Sequence, residues 1–283
     1  MQRSPVVIVL FILLASLVSC GGATPTNAPN PPSAAPATNA PAAASGVTSS
    51  RTKPATAGES ARAIVDAPDR SERDRSLDAG RRPAQLLEFF HVGPGMQVAE
   101  LAAGGGYTTE LLARAVGPTG KVYGQNPKWI LERFAEKPWS ERLTKPVMKN
   151  VVRVDRELDD PFPSEARDLD AVFCILFYHD FVWLNVDRDK LNRAVFKALK
   201  PGGVYAIVDH SGRDGTGTTE AQTLHRIEEK TVRSEIEKAG FRLRSEGTFL
   251  RNASDGRDWN ASPMASAEKR GTSDRFVLAF ERP

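Results

Sequence analysis

The chain is short of cysteine, of excess charge of either sign, and of apolar runs long enough to cross a membrane. Each shortage excludes something. Two cysteines in 283 residues, Cys20 and Cys174, offer no disulfide framework, so the fold must rest on its packed core. Cys174 lies inside an apolar run and reads as a buried thiol. The formal charge of +3 is close to balance, and the basic residues between Arg51 and Arg82 alternate with Asp and Glu. That mixture provides no surface for tracking phosphates, which argues against a nucleic-acid partner. The apolar stretch at the front, Val6 to Val18, is short for a span. No internal repeat is visible, so a solenoid is excluded.

What is there begins with a leader. Arg3, the apolar stretch and Leu17-Val18-Ser19-Cys20 give a positive region, a hydrophobic core and a small-residue cleavage site. The pattern over residues 1–20 resembles a bacterial lipoprotein signal. It implies a lipid on Cys20 and an exported protein tethered to a membrane, facing the periplasm or the cell exterior. An uncleaved anchor and an ordinary cleaved signal are the alternatives. Gly21 is not the acidic residue associated with inner-membrane retention, which favours the outer membrane. Residues 21–57 are rich in Ala, Pro, Thr, Ser and Asn, and almost nothing there can bury enough surface to offset chain entropy. A disordered tether is expected, followed by one globular domain over residues 58–283.

Within that domain, strand and helix patterns alternate. Leu86, Leu87, Phe89 and Phe90 mark a helix ended by Gly93-Pro94-Gly95, ahead of a strand from Gln97 to Leu101. A short helix from Thr108, stopped by Gly117-Pro118, precedes a second strand, Lys121 to Gln125. Val151, Val152 and Val154 give a third strand, the run from Asp170 a fourth, Asp189 to Leu199 a helix, and the run from Gly202 a fifth strand. Continuous apolar strands joined by helices predict a mostly parallel sheet covered on both faces. Thr219 to Gln222 forms a capping box that predicts one helix to Ala239. Strands are expected over Phe241 to Leu250 and Asp274 to Phe280.

Gly104, Gly105 and Gly106 end the first strand, where glycine lets backbone approach a ligand and the next helix offers free N–H groups. A tight turn with no ligand would use the same residues. A nicotinamide fingerprint needs a third glycine where Thr109 stands, which disfavours an oxidoreductase.

The order of elements resembles the Rossmann-like, seven-stranded α/β fold of class I S-adenosylmethionine-dependent methyltransferases. The local matches are Glu100-Leu-Ala-Ala-Gly104-Gly-Gly106, Gly120-Lys-Val-Tyr-Gly124 and Leu199-Lys-Pro-Gly-Gly203. The blocks DRSERDRSLDAGRRP, VDHSGRDGTG, TLHRIEE and GTSDRFVLAFERP are similar to an exported subgroup of predicted methyltransferases. The resemblance implies S-adenosylmethionine as cofactor, with Glu100, Ala102, Gly104, Gly105 and Gly106 at its methionine side. It implies Asn126 at the ribose and Asp155 nearest the adenine. Two positions depart from the family. Ala102 replaces a loop glycine, which is comfortable only where φ stays negative, and Asn126 replaces the acid that grips both ribose hydroxyls.

Methyl transfer requires an aligned nucleophile and a group to take its proton. Tyr178-His179-Asp180 follows the fourth strand and Asp209-His210 the fifth, both at the ligand-binding ends of the strands. His179 or His210 is the expected base, oriented by Asp180 and Asp209. Those two acids could instead share a divalent cation, although no strict metal spacing supports one. His225 is expected on a helix, beside a glycine-containing loop, Gly212 to Gly217, that could act as a lid. The acceptor is expected to be a small molecule or an envelope component. The competing reading is a non-catalytic envelope protein that uses the fold as an interaction module.

Overall fold

The computed structural model describes residues 57–283. The leader, Cys20 and the tether up to residue 56 lie outside the described residues. The domain opens with helices α1 (Ala57–Val65), α2 (Glu72–Arg81) and α3 (Pro83–Phe89). The sequence predicted a single helix before the first strand. Pro83 disfavours helical backbone at Arg82, which turns into the left-handed region at φ 47° and separates α2 from α3.

Seven strands follow: β1 (Gln97–Leu101), β2 (Lys121–Asn126), β3 (Val151–Asp155), β4 (Leu169–Ile175), β5 (Leu199–His210), β6 (Arg242–Gly247) and β7 (Arg275–Glu281). They form one sheet in the order β3-β2-β1-β4-β5-β7-β6, with β7 antiparallel to both of its neighbours. The strand order reverses at β1, so the loops leaving β1 and β4 flank a crevice at the carboxyl edge of the sheet. Helix α4 (Tyr107–Val116) joins β1 to β2, and α8 (Arg188–Ala198) joins β4 to β5. The alternating pattern predicted the mostly parallel sheet, and the family resemblance implied this Rossmann-like order.

Both faces of the sheet are covered, so neighbouring strand residues are apolar on both sides. Val98, Val122, Phe173 and Val277 pack with Leu86, Leu112 and Trp139 in one layer. Ala99, Val172, Tyr205 and Leu278 pack with Leu191, Val195, Val232 and Ile236 in the other. Cys174 is a free, buried thiol in that second layer. Each fully buried Leu, Val or Phe stabilises the fold by about 1.5 to 3 kcal/mol. No helix among the described residues is long and apolar enough to cross a membrane.

Two segments differ from the sequence reading. Between β2 and β3 the chain is helical: α5 (Lys128–Ile130), a π turn over Leu131–Ala135, and α6 (Glu136–Leu143). Pro138 follows closely on the π turn, where the i→i−4 hydrogen-bond ladder is already interrupted. The helix expected from Thr219 to Ala239 is two, α9 (Ala221–Leu224) and α10 (Glu229–Lys238). The break is at His225, φ 49°. Arg226, next in the chain, is wholly buried, donates from Nη1 to the Ser211 carbonyl at 3.0 Å and pairs with Asp255. Those contacts override the local helix signal.

Candidate active site

The loop after β1 is fastened to the end of β2. Gln125 Oε1 accepts from Ala102 N at 2.9 Å, and the Gln125 carbonyl accepts from Ala103 N at 2.9 Å. Ala102 therefore takes φ 51°, against the expectation that an alanine here would need negative φ. The cost is about 1 to 2 kcal/mol, offset by those two bonds. Gly104 also has positive φ, 56°, but a Cβ built on it would meet nothing within 4 Å. Open space beside a left-handed glycine leaves room for a ligand to approach backbone. Gly106 is different: its missing Cβ makes way for the Trp139 ring, 2.5 Å from where that atom would lie. Arg142 Nε, also from α6, donates to the Gly105 carbonyl at 2.5 Å.

Glu100 lies beneath this loop, 4% exposed, and accepts from the Thr109 hydroxyl. Burial raises its pKa to about 7, against the pull of donations from Thr109 and Thr108 and the positive charges of Arg81 and Arg142. Near neutral pH its carboxyl is poised between its two protonation states.

Across the crevice, the loops after β4 and β5 bring four of the expected site residues together, and His225 joins them. Helix α7 (Asp180–Trp183) opens directly after His179. Asp209, wholly buried, accepts from His179 N at 2.8 Å and pairs with His179 Nδ1 at 2.7 Å. His210 N also donates to it, at 2.7 Å. His179 Nε2 faces Asp180 Oδ1 at 3.1 Å and His225 Nδ1 at 3.3 Å. Burial disfavours charge on His179, but Asp209 and Asp180 outweigh it and hold its pKa up to about 10. His210 goes the other way: burial, then the charges of His179 and Arg275, push it well below the ordinary imidazole range. Its Nδ1 pairs with Ser273 Oγ at 2.7 Å. Leu176, at the start of the β4 loop, is left-handed at φ 57°, like Ala102 and His225 in their own loops. Left-handed non-glycine residues are costly and gather where a loop must aim side chains.

Several expectations are corrected by these contacts. Asn126 is 0% exposed, and its Oδ1 and Nδ2 both bond to Gly104, at 2.7 and 3.1 Å. It holds the loop and does not face a ribose. Asp155, at the end of β3, is paired with Arg153, which also binds Glu136, in an exposed ion network. Asp209 turns its two oxygens to His179 and His210, and it is His179 and His225 that converge on Asp180. The Gly212 to Gly217 loop is pinned, with the N–H groups of Gly215 and Gly217 donating to the Glu228 carboxylate at 2.8 and 3.0 Å.

Four further residues were not anticipated. Gln125, Trp139 and Arg142 build the glycine loop from behind. Trp183 closes an aromatic chain, with ring centroids 5.4 Å from Trp129 and 6.4 Å from His225.

No protein-family model matches the chain. Solved structures do. A SAM-dependent methyltransferase from Aquifex aeolicus aligns at 20% identity over 78% of this chain and 98% of its own, with a TM-score of 0.51. A Galdieria sulphuraria protein assigned as a sarcosine dimethylglycine methyltransferase aligns at 18% identity over 77% and 88%, TM-score 0.53. The complex of the Haloferax volcanii Trm112 methyltransferase activator with its assigned methyltransferase aligns at 17% identity over 75% and 93%, TM-score 0.52. These likenesses are of fold, and they agree with the seven-stranded topology described above.

Proposed function

We propose that the chain is an S-adenosylmethionine-dependent methyltransferase, exported and held on a membrane by a lipid on Cys20, that acts on a small-molecule or envelope acceptor. The observation that carries this reading is a pair of loops at the carboxyl edge of the sheet: a glycine loop with open space at Gly104 after β1, and a histidine–aspartate cluster on the loops after β4 and β5. The register that sets Leu101 beside Cys174 puts the glycine loop and the loop after β4 on adjacent strands. Glu100 and the open space beside Gly104 fit the methionine side of the cofactor. Asn126 does not fit its ribose side, so the nucleoside would be held by other groups. The family likeness of the blocks quoted above, and the leader over residues 1–20, support the exported subgroup.

When bound, the cofactor supplies an electrophilic sulfonium methyl. The protein's own work is to orient an acceptor and receive its proton. His179 has both ring nitrogens engaged and is a positioning residue. With Nδ1 donating to Ser273 Oγ, His210 keeps a lone pair on Nε2 and is the one of the two with a free acceptor nitrogen, while burial and the charge of His179 make it a weak base. The lock on Asn126 favours the second reading, a non-catalytic module that no longer binds an adenosyl ligand.

The test is calorimetric titration of the purified protein with S-adenosylhomocysteine, S-adenosylmethionine and NAD. Micromolar binding of the first two, lost in Gly104→Val, is the expected result. Binding that survives Gly104→Val removes the site assignment, and no binding by any of the three leaves the interaction module.

A further inference from the structure

We propose that His179 Nε2, Asp180 Oδ1 and His225 Nδ1 are the three protein ligands of a site for a divalent first-row transition ion, with zinc the best match. The site goes beyond the methyl-transfer reading and does not depend on it. The three atoms form a nearly equilateral triangle, with edges of 3.1 Å from His179 to Asp180, 3.3 Å from His179 to His225, and 3.3 Å from Asp180 to His225. Ligand atoms about 2.1 Å from one ion stand about 3.4 Å apart at tetrahedral corners and about 3.0 Å apart at adjacent octahedral corners. The observed edges lie between those two values.

Hydrogen bonding alone accounts poorly for the convergence. Asp209 Oδ1 receives the Nδ1 proton of His179, so Nε2, which carries a proton when no ion is bound, is aimed at a carboxylate oxygen and at a second imidazole nitrogen. Protons on the two imidazoles satisfy the two edges that reach Asp180 and set two ring nitrogens against each other on the third, whereas a cation that replaces the Nε2 proton satisfies all three. A carboxylate behind a ligating histidine is also the usual way of fixing its tautomer and orientation. Asp209 is wholly buried and bonds both the ring and the backbone N–H of His179.

The remaining ligands are aimed with similar care. Trp183 Nε1 donates to Asp180 Oδ1 at 2.7 Å, which leaves that oxygen a second lone pair for an ion. His225 is held at φ 49° between two helices, a strained position that turns its ring toward the cluster. Two imidazoles and one carboxylate suit zinc and its neighbours in the series and do not suit magnesium or calcium. The His225 side chain is 25% exposed and that of Asp180 14%, so the open face leads to solvent. Three protein ligands with an open face leave a coordination position for water or for an oxygen of a bound molecule.

The test uses the full chain, dialysed without chelator and analysed for metal content, and then the metal-stripped protein titrated with zinc and with cobalt(II). The expected result is one ion per chain and visible d–d absorption from cobalt that zinc abolishes. His225→Ala and Asp180→Asn lose the cobalt spectrum, Asp209→Asn weakens zinc binding by about 10- to 100-fold, and His91→Ala, on the surface, changes nothing. Urea midpoints for each variant separate lost binding from lost folding. If the wild-type protein takes up neither ion in the micromolar range, or if His225→Ala keeps the cobalt spectrum, the site does not exist and the cluster is a proton-sharing imidazolium group.

Discussion

Asn126 clasps Gly104 by both ends of its amide: Oδ1 accepts from Gly104 N at 2.7 Å and Nδ2 donates to Gly104 O at 3.1 Å. An acid at this position would keep the first bond and set a carboxylate oxygen against the carbonyl. Asn126→Asp, which restores the residue type expected at a ribose, should therefore destabilise the protein by about 2 to 3 kcal/mol through the lost donor and the buried repulsion. It should not tighten binding of S-adenosylhomocysteine. Urea denaturation and calorimetry read the two effects separately, and a tighter ligand with an unchanged midpoint would restore Asn126 to the ribose.

Neighbouring glycines in the loop should respond differently to alanine. Gly106→Ala drives a methyl into the Trp139 ring, which is wholly buried and cannot retreat. Strain at φ 79° adds to the clash, for an expected loss of about 2 to 4 kcal/mol. Gly104→Ala meets open space and pays only for its positive φ, about 1 kcal/mol. Thermal midpoints that fall by the same amount in both variants would contradict the packing described.

Glu100 gives a pH signature. Its pKa is raised from 4.5 to about 7 by burial, so the folded state holds a proton that the unfolded chain has released at intermediate pH. The carboxyl is without penalty below its unfolded pKa and destabilises the fold increasingly as pH rises from there to about 7. Glu100→Gln removes that dependence. Relative to wild type, it should be more stable at pH 8 by on the order of 2 kcal/mol, less the value of the Thr109 bond, with the gain disappearing near pH 4. Denaturant midpoints at the two pH values decide it, and a gap independent of pH would mean that Glu100 is ionised throughout.

The inner strands β4, β5 and β7 were legible because each holds a continuous apolar run, which burial on both faces of the sheet demands, whereas the edge strand β6 is polar and alternates between buried and exposed. Helix α6 was not, since its sequence is polar apart from Trp139 and Leu143 and carries Pro138. It earns its place through Arg142, which reaches an aspartate 68 residues earlier in the chain. His225 shows the same limit. Its position is set by Arg226 folding onto Asp255, and a capping signal at Thr219 carries no information about that pairing. The histidines and aspartates could be placed at the carboxyl ends of the strands, but which nitrogen faces which oxygen depended on three loops meeting.

Arg142 should be the most sensitive single position around the glycine loop. Its guanidinium bonds Asp74 at 2.6 and 2.9 Å, Glu110 at 2.5 Å and the Gly105 carbonyl at 2.5 Å, joining α2, α4 and α6 behind the loop. Glu110 would keep Arg114 and Lys145 as partners if Arg142 were removed. Asp74 would not, because Arg142 is its only ion-pair partner among the described residues and its side chain is 6% exposed. Removing one member of a buried pair strands the other, so Arg142→Ala should cost about 3 to 5 kcal/mol at neutral pH. Burial raises the Asp74 pKa, but Arg142 outweighs it and holds the group below its ordinary value. An acid depressed in this way stabilises the fold above its unfolded pKa and loses that contribution as pH falls through its folded one. The gap between wild type and Arg142→Ala should therefore narrow below about pH 4, as protonation relieves the stranded carboxylate in the variant. Urea unfolding of both proteins at pH 7 and pH 3.5 measures it, and a gap of equal size at the two values would show that Arg142 acts by packing and not by charge.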